Sequence, residues 1–307
     1  MQESTKKAGE LSPSDVVAAL EKEELGIAEL MHVRKSIYSA LEQRVQAEDV
    51  YRRLERGVVK FSAENKAIVR RGVVAWILGK NEEAVRVLSE ARLGRDGSFV
   101  LGRAYYDKGS AHLALPHLEK AAEGETESVE VHISIAETRN RLGMHDEALA
   151  GLQALKKPFD KNPDYQYALG LTLDHLGRYD DAMAAYQKAV DADSENARAL
   201  FRMAYNLDLR GEEEKAMEIY ERLRKSRPPF VNVLLNLGLM YEDRCQFEKA
   251  IDCYQTILDT YPLHERAQLY LSDARASLNM YYDEEARKKE HRVGQMLNTP
   301  ISEFQLS

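Results

Sequence analysis

"GLTLDHLGRYDDAMAAYQKAV" runs from Gly170 to Val190 and reads as two short helices that turn at Gly177. Helices of this length are marginal in water unless an apolar face is packed. Each half therefore needs a neighbour, and the chain supplies near-copies of the same stretch. Stepping 34 residues from Ala182 reaches Ala216 and Ala250 ahead, and Ala148 and Ala114 behind; a step of 30 then reaches Ala84. Five residues before these anchors stand Gly79, Gly109, Gly143, Gly177, Gly211 and, out of pattern, Cys245. Four residues after them come Leu88, Leu118, Leu152, Tyr186, Tyr220 and Tyr254. Twelve before them comes a small residue each time: Gly72, Gly102, Ala136, Gly170, Ala204 and Gly238.

Each register has a physical reason. A small residue lets two helices approach closely, and the large residue four positions after the alanine lies on that same helical face. Glycine ends the first helix where a left-handed backbone is needed. Acidic pairs such as Glu82–Glu83 and Asp180–Asp181 suit the positive N-terminal end of the second helix. Pro228 and Pro262 punctuate turns between copies. One copy is thus a helix–turn–helix that becomes stable only when stacked.

The 34-residue period resembles the tetratricopeptide repeat. Leu169–Gly170, Ala182, Tyr186 and Ala189 fit that family's pattern, and so do Leu237–Gly238, Tyr241, Ala250, Tyr254 and Pro262. The usual tryptophan is replaced by Gln166, Leu200 or Leu234, and the first copy is the weakest, with Arg71 where a leucine is expected. The resemblance implies an all-α, right-handed superhelix of about six helix pairs, spanning residues 64–280. Around it the sequence predicts a disordered start (1–11) and a helical N-terminal cap (12–60). A seventh first helix is expected near 263–278, then a charged capping helix (281–297) and an extended tail (298–307). Ser12–Pro13 followed by Asp15 marks the first helix start.

The 307 residues are 44% hydrophobic and 31% charged, a soluble, helix-leaning composition. A formal net charge of −8 disfavours direct nucleic-acid binding. Cys245 and Cys253 are eight residues apart, which fits neither a disulfide framework nor a recognised metal-ligand spacing. The N-terminal residues lack the apolar core of a signal peptide, and no long apolar run suggests a membrane span. A cytoplasmic protein is expected. The eight histidines form no metal pattern, and no GxxxxGK[ST], GxGxxG or GxSxG sequence is present. His145 and His175 fall at helix ends, where a solvated or capping role is expected. The reading is of a non-enzyme with no cofactor, no metal and no small-molecule ligand.

In tetratricopeptide families the concave surface comes from the first helices. Three residues before each small residue stand Phe99, Ile133, Tyr167, Phe201 and Leu235. One after it stand Arg103, Glu137, Leu171, Tyr205 and Leu239, and four after it Tyr106, Asn140, Asp174, Asp208 and Glu242. The resemblance places these on an aromatic and aliphatic strip with an acidic edge. Such a strip suits a protein partner presenting an amphipathic segment with basic flanks. The alternative is a structural role in which the N-terminal helices fill the groove and an outer or self-association face binds.

The last eight residues, "PISEFQLS" (300–307), carry a second, shorter resemblance. They resemble the segment that enters the C-terminal domain of the RNA polymerase alpha chain, a domain that some bacterial proteins join to tetratricopeptide repeats. That resemblance implies a bacterial, transcription-linked adaptor whose DNA-contacting part is not among these residues.

Overall fold

The computed structural model describes residues 11–124, 128–155, 159–225 and 230–298. Among them it holds sixteen helices of nine or more residues and no strand. They fall into two compact units, Met1–Ser194 and Glu195–Ser307.

The first unit opens with α1 (Pro13–Glu21), α2 (Ile27–Ser39) and α3 (Leu41–Glu55). Ser12 caps α1 as the sequence predicts: its hydroxyl accepts from the Asp15 N–H at 3.2 Å, and the Asp15 carboxylate accepts from the Ser12 N–H at 3.0 Å. Four helix pairs follow: α4 (Glu64–Ile77) with α5 (Asn81–Ser89), α6 (Arg95–Asp107) with α7 (Ala111–Ala122), α8 (Val129–Arg141) with α9 (His145–Ala154), and α10 (Pro163–His175) with α11 (Tyr179–Ala192). The second unit holds α12 (Ala197–Leu209) with α13 (Glu213–Arg224), α14 (Val231–Asp243) with α15 (Phe247–Thr260), and α16 (Glu265–Asn298). These are the six pairs that the period implies.

The pairs close as the small–large register requires. A β-carbon added to Gly170 would stand 2.6 Å from the Tyr186 ring, and one on Gly102 2.7 Å from the Leu118 side chain. Glycine makes every turn within a pair but one. Gly79, Gly109, Gly143, Gly177 and Gly211 have φ between +71° and +83°, and Cys245 takes the same slot at φ +54°. At Gly177 the first helix ends with Gly177 N–H donating to Asp174 O and Arg178 N–H to Leu173 O, at 3.0 and 2.9 Å. Cys245 and Gln246 repeat that pair of bonds to Glu242 O and Tyr241 O, both at 2.8 Å. The cap geometry is kept, although its residue is not glycine.

One expected break is missing. The sequence separates a helix near 263–278 from a charged one after 282; α16 runs unbroken from Glu265 to Asn298. No glycine or proline interrupts 266–293. The tyrosines in the middle also hold it to α15: the Tyr281 ring lies 6.0 Å from that of Phe247, and the Tyr282 hydroxyl donates to Glu248. The expected disordered start lies almost wholly outside the described residues, as does the tail segment 300–307.

Candidate functional site

The strip residues sit on α6, α8 and α10 of the first unit and on α12 and α14 of the second. The first helices of the first three pairs carry something the repeat does not: α2. Leu30, Val33 and Ile37 of α2 are buried in one core with Val73, Trp76 and Ile77 of α4, Phe99 of α6, and Val131 and Ile135 of α8. Arg34 locks the helix down. Its guanidinium lies 4.0 Å from the Trp76 ring centre, and its Nη2 donates to Asp107 Oδ2 at 2.8 Å. Trp76 Nε1–H donates to the same oxygen at 3.0 Å, so one carboxylate ties α2, α4 and α6 together.

This changes the reading of the strip's first residues. Phe99 is wholly buried, edge-on to Trp76 at 6.3 Å, and is core rather than groove lining. Arg103 pairs with Glu137 at 2.6 Å, both side chains nearly closed off. Burial works against the Arg103 charge, but Glu137 and Asp107 outweigh it and hold its proton more tightly than usual. Tyr106 lies between the Arg103 and Arg141 guanidinium groups, at 4.8 and 3.7 Å. Asn140 is buried and donates to Thr172 Oγ1 at 2.8 Å. Its side-chain oxygen lies 3.2 Å from His145 Nδ1, and the His145 ring stacks on that of His175 at 4.9 Å. The two histidines thus meet, where the sequence places them only at helix ends.

Further along the first unit, Ile133, Tyr167, Leu171 and Asp174 are half-buried. The Tyr167 ring lies 6.0 Å from that of Tyr186, whose hydroxyl donates to Asp174 at 2.6 Å.

The second unit is barer. Phe201 is half-buried, its ring 6.3 Å from Tyr205, 6.1 Å from Tyr220 and 6.2 Å from Phe230. Tyr205 is 38% exposed and Leu239 41%, whereas Leu235, expected beside them, is core at 4%. Glu242 accepts from the Tyr254 hydroxyl at 2.6 Å, repeating the Asp174–Tyr186 bond one unit on. Asp208 breaks that series. Tyr220 Oη instead accepts from Asn236 Nδ2 at 3.0 Å. The Asp208 carboxyl is pushed above its ordinary range by burial, with Glu213 and Asp243 adding like charge.

Sequence reasoning misses Arg34, Trp76 and Asp107. Trp76 was findable, because it stands four residues after Gly72, in the column that holds Tyr106, Asp174 and Asp208. Among the described residues no three His, Cys, Asp or Glu side chains gather as a metal site, and no helix is long and apolar enough to cross a membrane.

Models of the tetratricopeptide repeat match residues 141–197, 175–234 and 232–264. No protein of curated function matches the sequence. Among solved structures, the chain is similar to one from the APC/C hetero-tetramer Cut9–Hcn1, with 15% identity and a TM-score of 0.62. That likeness covers 85% of this chain and 54% of the other, so this chain spans about half the length of its match. It is also similar to TTC0263, a thermophilic tetratricopeptide-repeat protein of Thermus thermophilus. There the identity is 18%, the TM-score 0.52, and the coverage 60% of this chain and 100% of that one. At these identities the likeness is one of fold.

Proposed function

The chain carries tetratricopeptide repeats, and from that premise we propose a non-catalytic scaffold that binds a protein segment on the first-helix faces left uncovered. The segment is amphipathic with basic flanks. The observation that supports this is the exposure of Tyr205 and Leu239, at 38% and 41%, in the column where the first unit closes off the Arg103 and Glu137 side chains. Aromatic anchors of this kind concentrate interface energy. The two free cysteines support a reducing, cytoplasmic setting. Residues 300–307 add the finer reading of an adaptor linked to transcription.

The test is an affinity capture with the immobilised full chain, compared with a Tyr205→Ser, Leu239→Ser double variant. The variant is expected to melt with the wild type and to lose the proteins that the wild type retains. Equal capture by both would remove the proposed face.

The second reading, an assembly protein whose groove is self-occupied, is supported by α2 on α4, α6 and α8. It expects a concentration-dependent mass in light scattering and no effect of the double variant on capture.

A further inference from the structure

The scaffold reading leaves the chemistry of the partner open, and the following rests on that reading. We propose that Asp208 is the docking point for a basic side chain, arginine or lysine, on an amphipathic helix bound across α12 and α14.

Three observations carry it. The first is the odd carboxylate itself. In the column four residues after each small residue, Asp174 and Glu242 each accept a tyrosine hydroxyl at 2.6 Å. Asp208 has no hydrogen bond to its side chain and no ion pair among the described residues; the Tyr220 hydroxyl instead accepts from Asn236. The second is the sign of its surroundings. The carboxylates that bear on it are Glu213, itself paired with Arg244 at 3.1 Å, and Asp243; both still add like charge to Asp208 and favour a cation there. Burial and that repulsion push its carboxyl upward, and an arriving cation relieves both penalties. The third is the apolar rim: Tyr205, Leu209 and Leu239 are 38%, 65% and 41% exposed on the same two helices. A basic residue flanked by apolar ones on one helical face meets all of these groups.

The molecule already contains an example of such a contact. On the corresponding face of the first unit, α2 presents Arg34 to Trp76 and Asp107, with Leu30, Val33 and Ile37 packed beside it. There an amphipathic helix with one arginine closes a first-helix face. Asp208, Tyr205 and Leu239 offer the same kinds of group, with Tyr205 and Leu239 exposed among the described residues.

The probe is a phage-displayed library of random helical peptides, panned on the full chain and on Asp208→Asn. The wild type is expected to select peptides that place Arg or Lys among apolar residues, and the variant to lose that selection. A selected peptide, titrated by fluorescence polarisation, should weaken about tenfold or more on Asp208→Asn. Changing its basic residue to Gln should weaken it equally on the wild type and no further on the variant. Asp208→Glu, which keeps the charge, should retain the peptide, so a loss caused by misfolding is told apart from a loss of charge. Peptides selected without a basic residue, or bound equally by wild type and Asp208→Asn, overturn this inference and leave the scaffold standing. No selection above background on the wild type overturns both.

Discussion

The first-helix face of α4, α6 and α8 and that of α12 and α14 are built from the same repeat, yet they end in different states. On the first, α2 covers the aromatic residues and Asp107 receives Arg34 at 2.8 Å. On the second, Tyr205 and Leu239 meet solvent and Asp208 receives no hydrogen bond or ion pair among the described residues. The repeat therefore dictates where the face is but not whether it is free. Occupancy is decided by residues outside the repeat, here by α2.

The strongest way to test that contrast is to remove one aromatic from each face. Phe99→Ala should cost about 3–5 kcal/mol, because it leaves a cavity beside Trp76 in the core that α4 and α6 share. Tyr205→Ala should cost about 0.5 kcal/mol, as surface changes do. Urea unfolding followed by circular dichroism measures both, and equal losses would erase the distinction between faces. A smaller effect tests what holds α2 in place. Arg34→Met keeps the stem but leaves Asp107 with the Trp76 N–H and the longer Arg103 contact at 3.8 Å, for about 1–3 kcal/mol. Hydrogen exchange should then rise in α2 before it rises in α4. Smaller again, and of opposite sign, is Cys245→Gly. A non-glycine residue at φ +54° is strained, so glycine there should stabilise the second unit by about 1 kcal/mol. A raised urea midpoint checks it.

The smallest effect depends on pH and concerns the loop that leads into α2. Lys66 and the Ser62 hydroxyl and N–H hold the Glu23 carboxyl down to about 2. A depressed carboxyl stabilises the fold above its unfolded range and loses that contribution as pH falls through the folded value. The advantage of wild type over Glu23→Gln should therefore be level from pH 7 to near the ordinary 4.5, shrink below it, and vanish near 2. An advantage that shrinks already between pH 7 and 5 would contradict the assignment.

The array was legible because its rules are local and repeated. Gly170 faces Tyr186 within one hairpin, and Gly177 turns that hairpin, so both are announced by spacing alone. The state of the strip was not. Arg34 and Asp107 are 73 residues apart, and a single contact across that distance leaves no period to read. Phe99 and Leu235 look identical in register to Phe201, and only three-dimensional packing separates core from face. The unbroken α16 has the same origin, since the contacts of Tyr281 and Tyr282 with Phe247 and Glu248 on α15 leave no trace in the local sequence.

The covered face carries a further consequence. Trp76 is the one tryptophan in 307 residues, and it is wholly buried, with the Arg34 guanidinium over its ring and its indole N–H bonded to Asp107. The native fluorescence excited at the red edge of the indole band therefore comes from a single position. Lifting α2 alone would bring water to that ring and move its emission to longer wavelength while the helical signal stayed almost constant. The protein thus reports by its own light, without a label, whether α2 is docked.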